Sequence, residues 1–486
     1  MQAKYYYVKP TDTKTERYPP LSRTNRTIQM SIKTKCFSLL IALLATTSVA
    51  FAQNTGSNSP YGRFGFGVLS TPTFGASEQM GGISYGLRRS QQVNPGNPAS
   101  YSAIDSMTFI FDFGVSGHRA QLNDGVNQRS FTNSNLDYIA ILFPLLCGMG
   151  ASVGLLPFSR VGYTFGGPRW VEGAAAGQFW GIHRGTGGLS EMYAGIAWSP
   201  ISNFSVGMNV AYLFGSFTHT NTVIPAFAPT ALTSHNSIHY SLRTLRYNFG
   251  VQQTFPLTNN RSITVGAVYT PQISTTSDVT ETRGMFISDP FQNPWQSPVQ
   301  VLPADTIRNA SFQLPHSFGL GFTYSTANWL LGIDGEYQLW NGLNYPDALD
   351  GMTRDTRFND AFRIASGFEF VRNPFSPQFL HRVRIRGGVS FANSYINVNV
   401  FDLNTIDPTT EQPLSLGTGS FRQYGANVGL GLPFHDFLTG RLSMVNIGFH
   451  YIRQQPNHQF MIAQDMFKIS VNINFNESWF FQRLMH

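Results

Sequence analysis

The chain has 486 residues, of which 12% are charged and 14% aromatic, with 46 Gly, 41 Phe and 2 Cys and a formal charge of +7. That charged fraction is about half the roughly 25% usual in soluble domains, and two cysteines give neither a disulfide framework nor a cysteine metal cluster. The positive charge is not a property of the main body: residues 1–52 hold eight Lys or Arg against Asp12 and Glu16, and without them the balance is +1, so no nucleic-acid partner is indicated.

Residues 1–29 are polar and without pattern, and are expected to be an upstream extension with no role, translation starting at Met30. Residues 30–52 read as a secretory signal peptide, with Lys33 and Lys35 at its start, an apolar stretch over 37–49 and Ala50-Phe51-Ala52 as the cleavage site. About thirteen apolar residues are too few to span a bilayer, which needs roughly twenty. Cys36 leaves with the signal, and Cys147 is then unpaired. In the remainder Lys468 is the sole lysine beside twenty-four Arg. Guanidinium groups on exterior loops suit lipopolysaccharide phosphates, although genomic base composition explains the bias equally well.

Residues 53–105 are rich in Gly and Pro and show no sustained alternation, yet they include Phe64, Phe66, Leu69, Phe74, Met80, Ile83, Tyr85 and Val93. This is too apolar for simple disorder, and the segment is read as a plug folded into a lumen.

From residue 106 to 475 about fourteen segments carry an apolar residue at every second position, the period of a β-strand with two different faces. The first, 107–116, sets Phe109, Phe111, Phe113 and Val115 against Thr108, Asp112, Gly114 and Ser116; the last, 466–475, sets Phe467, Ile469, Val471, Ile473 and Phe475 against Lys468, Ser470, Asn472 and Asn474. Connectors alternate between long (117–133, 159–188, 215–241, 271–315, 341–359, 393–420, 453–464) and short (144–149, 199–203, 256–261, 325–328, 372–380, 433–440). An even number of amphipathic strands with alternating loop lengths predicts an all-β, antiparallel outer-membrane barrel, short turns and both termini periplasmic, long loops extracellular. Residues 476–486 are left as a periplasmic tail.

Residues 139–158 carry no charge, but Pro144, Gly148, Gly150, Gly154 and Pro157 favour two strands and a turn over a membrane helix. Pro157 near the end of the third strand either removes a ladder hydrogen bond and weakens the wall there or simply ends the strand. Arg382, Arg384 and Arg386 alternate with apolar residues, as do Asp334 and Glu336. Each arginine would cost about 2–4 kcal/mol on a lipid face at mid-membrane, so all are expected to point inward. Together they form either an ion-pair network with Asp334 and Glu336 or an anion or carboxylate site.

Asn97-Pro98-Ala99, after the glycine-rich QMGGISYGLRR and just before the first strand, resembles the hatch element of the long-chain fatty-acid transporter (FadL and TodX) family. The segments NSPYGRFGFGVLS, NPASYSAIDSMTF and NINFNESWFF are most similar to the Bacteroidota branch of that family, in which many members have no assigned substrate and one serves the type IX secretion system. The resemblance implies passive uptake of hydrophobic compounds, release by a shift of the hatch, and sideways exit through a gap at a kink in the third strand. Asn97, Pro98 and Ala99 match the hatch element, and Gly154 to Pro157 fall where the kink would be. Two departures stand: the chain continues past its last strand, and individual ligand-binding residues cannot be matched.

Catalytic patterns are weak. Gly82 to Gly86 and Gly150 to Gly154 both satisfy G-x-S-x-G without the strand-turn-helix that motif needs, and His235 and His239 lie in an expected loop without the zinc-site Glu. No enzyme activity, metal or cofactor is expected. The reading is a channel for small hydrophobic compounds, the alternative a non-transporting barrel subunit of a secretion or assembly complex, with outer-membrane lipid, lipopolysaccharide and protein subunits as partners.

Overall fold

The computed structural model describes residues 57–125, 127–169, 179–226, 231–289, 297–346, 357–406, 413–435 and 442–478. The extension and signal segment expected over 1–52 lie outside them. The strands run in chain order as β1 (Val68–Leu69), β2 (Thr108–Asn123), β3 (Gln128–Leu146), β4 (Met149–Arg160), β5 (Tyr163–Arg169), β6 (Phe179–Ile201), β7 (Phe204–Pro225), β8 (Thr233–Leu257), β9 (Arg261–Thr270) and β10 (Ile273–Phe286). They continue as β11 (Gln300–Val301), β12 (Asp305–Leu314), β13 (His316–Ser325), β14 (Trp329–Leu339), β15 (Arg357–Phe358), β16 (Ala361–Val371), β17 (Arg384–Asn393), β18 (Ile396–Ile406), β19 (Pro413–Gly419), β20 (Phe421–His435), β21 (Leu442–Pro456) and β22 (Ala463–Ser478).

Neighbouring strands pair antiparallel, and β22 returns to β2 along its whole length, from Thr108 opposite Ser478 to Asn123 opposite Ala463. The result is a closed fourteen-stranded antiparallel barrel, in which β4 with β5, β9 with β10 and β12 with β13 each make one wall strand. Closure leaves no free edge at the seam, as a chain in lipid requires. Among the described residues no helix is long and apolar enough to cross a membrane.

The period-two expectation holds on the outer face, where Met192, Leu320, Ile333, Val389, Val428 and Phe467 are exposed. Tight turns join the strands at one end. Gly148 (φ 71°), Asn203 (φ 70°), Asn259 (φ 63°) and Asn260 (φ 54°) supply left-handed backbone there, a conformation open to Gly and tolerated by Asn. We call this the short-turn end.

The long connectors are shorter than expected, because strands continue through most of them. β2 and β3 extend to 123 and back from 128, β7 and β8 run 22 and 25 residues, and His235 and His239 stand on β8 rather than in a loop. The reason is physical: Ser, Thr, Asn and His occupy both faces of these extensions, so the ladder persists where the apolar alternation has stopped. β22 likewise continues to Ser478, beyond the expected start of the tail.

The ring has two interruptions. β4 pairs with β3 only from Met149 to Leu155. On β8, residues 233–240 pair with β10 and 249–257 with β9, while 241–248 have no ladder partner on that side among the described residues. In their place the Ser277 hydroxyl donates to the Ser241 carbonyl, and Thr275 Oγ1 approaches the Arg243 carbonyl at 3.5 Å.

Candidate functional site

Residues 57–105 contain no long element: a 3-10 turn at Pro60–Arg63, β1, a short helix at Gly75–Gln79 and a 3-10 helix at Pro98–Ala103. The segment packs against many wall strands, the helix Gly75–Gln79 against β17, β20, β21 and β22 and the 3-10 helix Pro98–Ala103 against β4, β6, β7 and β8. Although the segment shows no sustained alternation, β1 adds to β4, with Val68 opposite Arg160 and Leu69 opposite Ser159.

The Asn97-Pro98-Ala99 element is fully buried and tied on three sides. Asn97 caps the 3-10 helix, its Oδ1 accepting the Ala99 amide at 3.1 Å, while Pro98 occupies the first helical position, where a missing N–H costs nothing. Asn97 Nδ2 donates to the carbonyls of Tyr85 (2.7 Å) and Val251 on β8 (3.2 Å). Arg88 Nη1 donates to the Ala99 carbonyl (3.1 Å) and to Ser205 Oγ on β7 (2.6 Å). The wall admits this backbone because its inward residues are Gly207, Gly250 and Gly266; a Cβ at these positions would overlap Pro98, Asn97 and the Tyr85 carbonyl respectively. Those glycines are close-approach positions that alternation alone does not single out.

A second anchor holds residues 81–87. The Asp334 carboxylate on β14 accepts the amides of Ser84 and Tyr85, Arg363 on β16 donates to the carbonyls of Gly81 and Gly82, and Gln252 Nε2 on β8 donates to those of Tyr85 (3.0 Å) and Leu87 (3.1 Å). Glu336 accepts from Ser317 Oγ (3.1 Å) and Gln338 Nε2 (2.6 Å).

The arginines do not meet Asp334 or Glu336, which corrects the expected network. Arg384 and Arg386 of β17 pair instead with Glu369 on the adjacent β16, at 2.6 and 2.7 Å, and Arg89 of the N-terminal segment joins the same carboxylate at 2.8 Å. Arg386 is directly opposite Glu369 in the ladder. Its Nη1 also donates to Gln79 Oε1 (2.8 Å) and Asn446 Oδ1 (2.6 Å). Burial pushes the Arg89 guanidinium below its usual value, and Glu369 draws it back part of the way. Arg382 is not on the strand at all; it ends a short helix, Phe379–Arg382, in the preceding connector.

Beyond Leu155, β4 leaves β3. Pro157, without an N–H to give the ladder, stands opposite Ser190 on β6 beside a register shift at 157/159. Residues 128–138 of β3 consequently pair with β2 alone among the described residues, while β5 pairs with β6. Gly154 lies just within the paired part, where a Cβ would strike the Tyr193 ring and the Ile139 carbonyl. Behind this split is a cavity of about 200 Å³ with Glu78, His118, Asp137, Pro157, Arg160 and Lys468 on its wall. Lys468 Nζ pairs with Glu78 (2.6 Å) and Asp137 (3.0 Å), and Arg160 with Asp137 (3.4 Å).

Toward the long-loop end aromatic side chains cluster within the ring. Phe66 of the N-terminal segment packs against Tyr345, Trp340 and Phe312 at 5.2, 6.0 and 6.3 Å, and Trp340 against Tyr395 at 4.5 Å. Tyr345 and Tyr395 donate to the carbonyls of Gly65 (2.7 Å) and Gly67 (2.6 Å).

The BamG family model matches residues 32–485. The chain belongs to the BamG family. No curated protein matches this BamG-family sequence. Among solved structures it is similar to a FadL homologue of Pseudomonas aeruginosa, at 13% identity and a TM-score of 0.51 over 84% of this chain and 99% of that one. The toluene transporter TbuX of Ralstonia pickettii is similar at 13% identity and a TM-score of 0.51, over 83% and 98% of the two chains. At these identities the likeness is one of fold: the BamG-family barrel has the FadL-like outer-membrane architecture.

Proposed function

We propose that this BamG-family barrel is a closed outer-membrane subunit of an assembly or secretion complex, not a conduit. The observation supporting this reading is the packing of side chains and backbone within the ring. Phe66, Trp340, Tyr345 and Tyr395 interlock toward the long-loop end, the Asn97-Pro98-Ala99 backbone is pressed onto wall glycines, and the wall of the cavity behind the β3–β4 split carries Glu78, Asp137, Arg160 and Lys468. An apolar solute gains about 25 cal/mol for each Å² taken out of water, and these paired charges withhold part of that gain in a cavity that Leu69, Phe74, Leu156 and Met466 also line. Family membership fits the same reading. Residues 57–105 act as a fixed plug, short turns and termini face the periplasm, and the outer belt meets lipid and lipopolysaccharide.

A second reading is passive uptake of small hydrophobic compounds, with movement of residues 53–105 as a hatch and lateral release near Gly154 and Pro157. It is favoured by the split between β3 and β4 at Pro157. The two readings separate in one pair of measurements. Mild-detergent extraction from native outer membranes should give a complex of constant stoichiometry through two orthogonal steps, and purified barrel in liposomes should not accelerate toluene or fatty-acid entry. A monomeric barrel with saturable entry of either compound would replace the subunit reading by the channel.

A further inference from the structure

A polar cavity lies near the short-turn ends of β2, β17, β21 and β22. It has a volume of about 380 Å³, with Arg89, Gln92, Asp112, Arg384, Arg386 and Asn446 on its wall. Two carboxylates balance its three guanidinium groups, and both are committed. Glu369 takes Arg89 and Arg384 on Oε1 and Arg386 on Oε2. Asp112 accepts the Tyr138 hydroxyl at 2.8 Å and Asn474 Nδ2 at 3.0 Å. Among the described residues named here one positive charge is left over, and a guanidinium carries five N–H donors, of which a single contact to Glu369 uses one or two.

The three arginines differ in what they have left. Arg386 is spent on Glu369, Gln79 and Asn446 and is almost wholly buried. Arg89 and Arg384 keep 22% and 18% of their side-chain surface accessible. Gln92, on the same wall, has its amide nitrogen buried without a partner. Converging, partly desolvated guanidinium forks with surplus charge match the planar or tetrahedral oxygens of an anion, for which such bonds are short and about twice as strong as neutral ones.

We propose that this cavity binds an oxyanion, a carboxylate or phosphate group entering from the short-turn end, between Arg89 and Arg384 with Gln92 as a neutral donor. A structural brace needs only the contacts to Glu369; the remaining donors and the open volume in front of them are what a ligand uses. Because Arg89 belongs to the N-terminal segment and Arg384 to the wall, the bound anion also ties the two together. The site stands whether the barrel is a complex subunit or a channel.

The test is isothermal titration of the full chain in detergent with inorganic phosphate and, separately, with succinate at constant ionic strength. Saturable one-to-one binding of at least one is expected, weakened at least tenfold by Arg89→Gln and by Arg384→Gln and unchanged by Arg453→Gln on exposed β21. Phosphate binding alone assigns a phosphoryl ligand and succinate binding alone a carboxylate. Absence of saturable binding by both, or binding that survives both substitutions, overturns the proposal. Heat-modifiable gel mobility verifies that each variant is folded, and if Arg384→Gln does not fold, Arg89→Gln carries the test.

Discussion

Glu369 and Arg386 face each other across the β16–β17 ladder with Arg386 Nε 2.7 Å from Glu369 Oε2, and both are about 2% exposed. A pair this deep offsets its own desolvation cost only while both members are present. Glu369→Gln therefore leaves three guanidinium groups facing one another without their shared carboxylate. The expected loss is about 3–5 kcal/mol, as for breaking other buried pairs, read as a lower transition temperature in heat-modifiable gel mobility. Unchanged stability would mean that water or another anion already neutralises the cluster.

Gly207 sets how closely the N-terminal segment approaches β7. Gly207→Leu puts a branched side chain where Pro98 and Ala99 lie, an overpacking that costs about 1–3 kcal/mol. Limited proteolysis should then cut within 88–103 in a barrel that still migrates as folded. Resistance equal to that of the unsubstituted chain would mean the segment does not rest on this strand.

The β1–β4 pairing can be tested by a cross-link. Antiparallel partners lie about 4.5–5.5 Å apart at Cα, inside the range a disulfide bridges. Leu69→Cys with Ser159→Cys, in a Cys147→Ser background because Cys147 is free and exposed, should oxidise without a catalyst, whereas Leu69→Cys with Asn133→Cys should not. Equal reactivity of both combinations would remove the pairing.

The β3–β4 split predicts uneven hydrogen exchange along one strand. Amides of residues 139–142, the stretch of β3 paired to both neighbours, should exchange slowly, and those of 129–137 that point away from β2 should exchange in seconds to minutes. Uniform protection along β3 would show that another segment covers this edge.

The wall was legible in sequence because lipid demands apolar residues on one face, as at Ile333 and Phe467, and permits polar ones on the other. Strand length was not, since Thr218, His219, Thr220 and Asn221 continue β7 with no apolar period to reveal them. Asn97-Pro98-Ala99 precedes the first wall strand, but its seat on Gly207, Gly250 and Gly266 depends on cross-strand register, which a single strand's pattern does not carry. The arginine network failed for a related reason. Arg382 reads as one more alternating residue until the helix at Phe379–Arg382 is known, and choosing Glu369 over Asp334 requires knowing which strand lies beside β17.

Lys468, the sole lysine after residue 52, is turned into the lumen, clamped between Glu78 and Asp137, and only 15% exposed. With residues 1–52 removed as the signal reading expects, amine-reactive probes would find only the N-terminal amine and this shielded lysine on the folded barrel, and a proximity map built on lysine chemistry would under-represent this chain in any assembly that contains it. Reagents directed at carboxyl groups, or photo-activated ones, are the appropriate means of locating its neighbours.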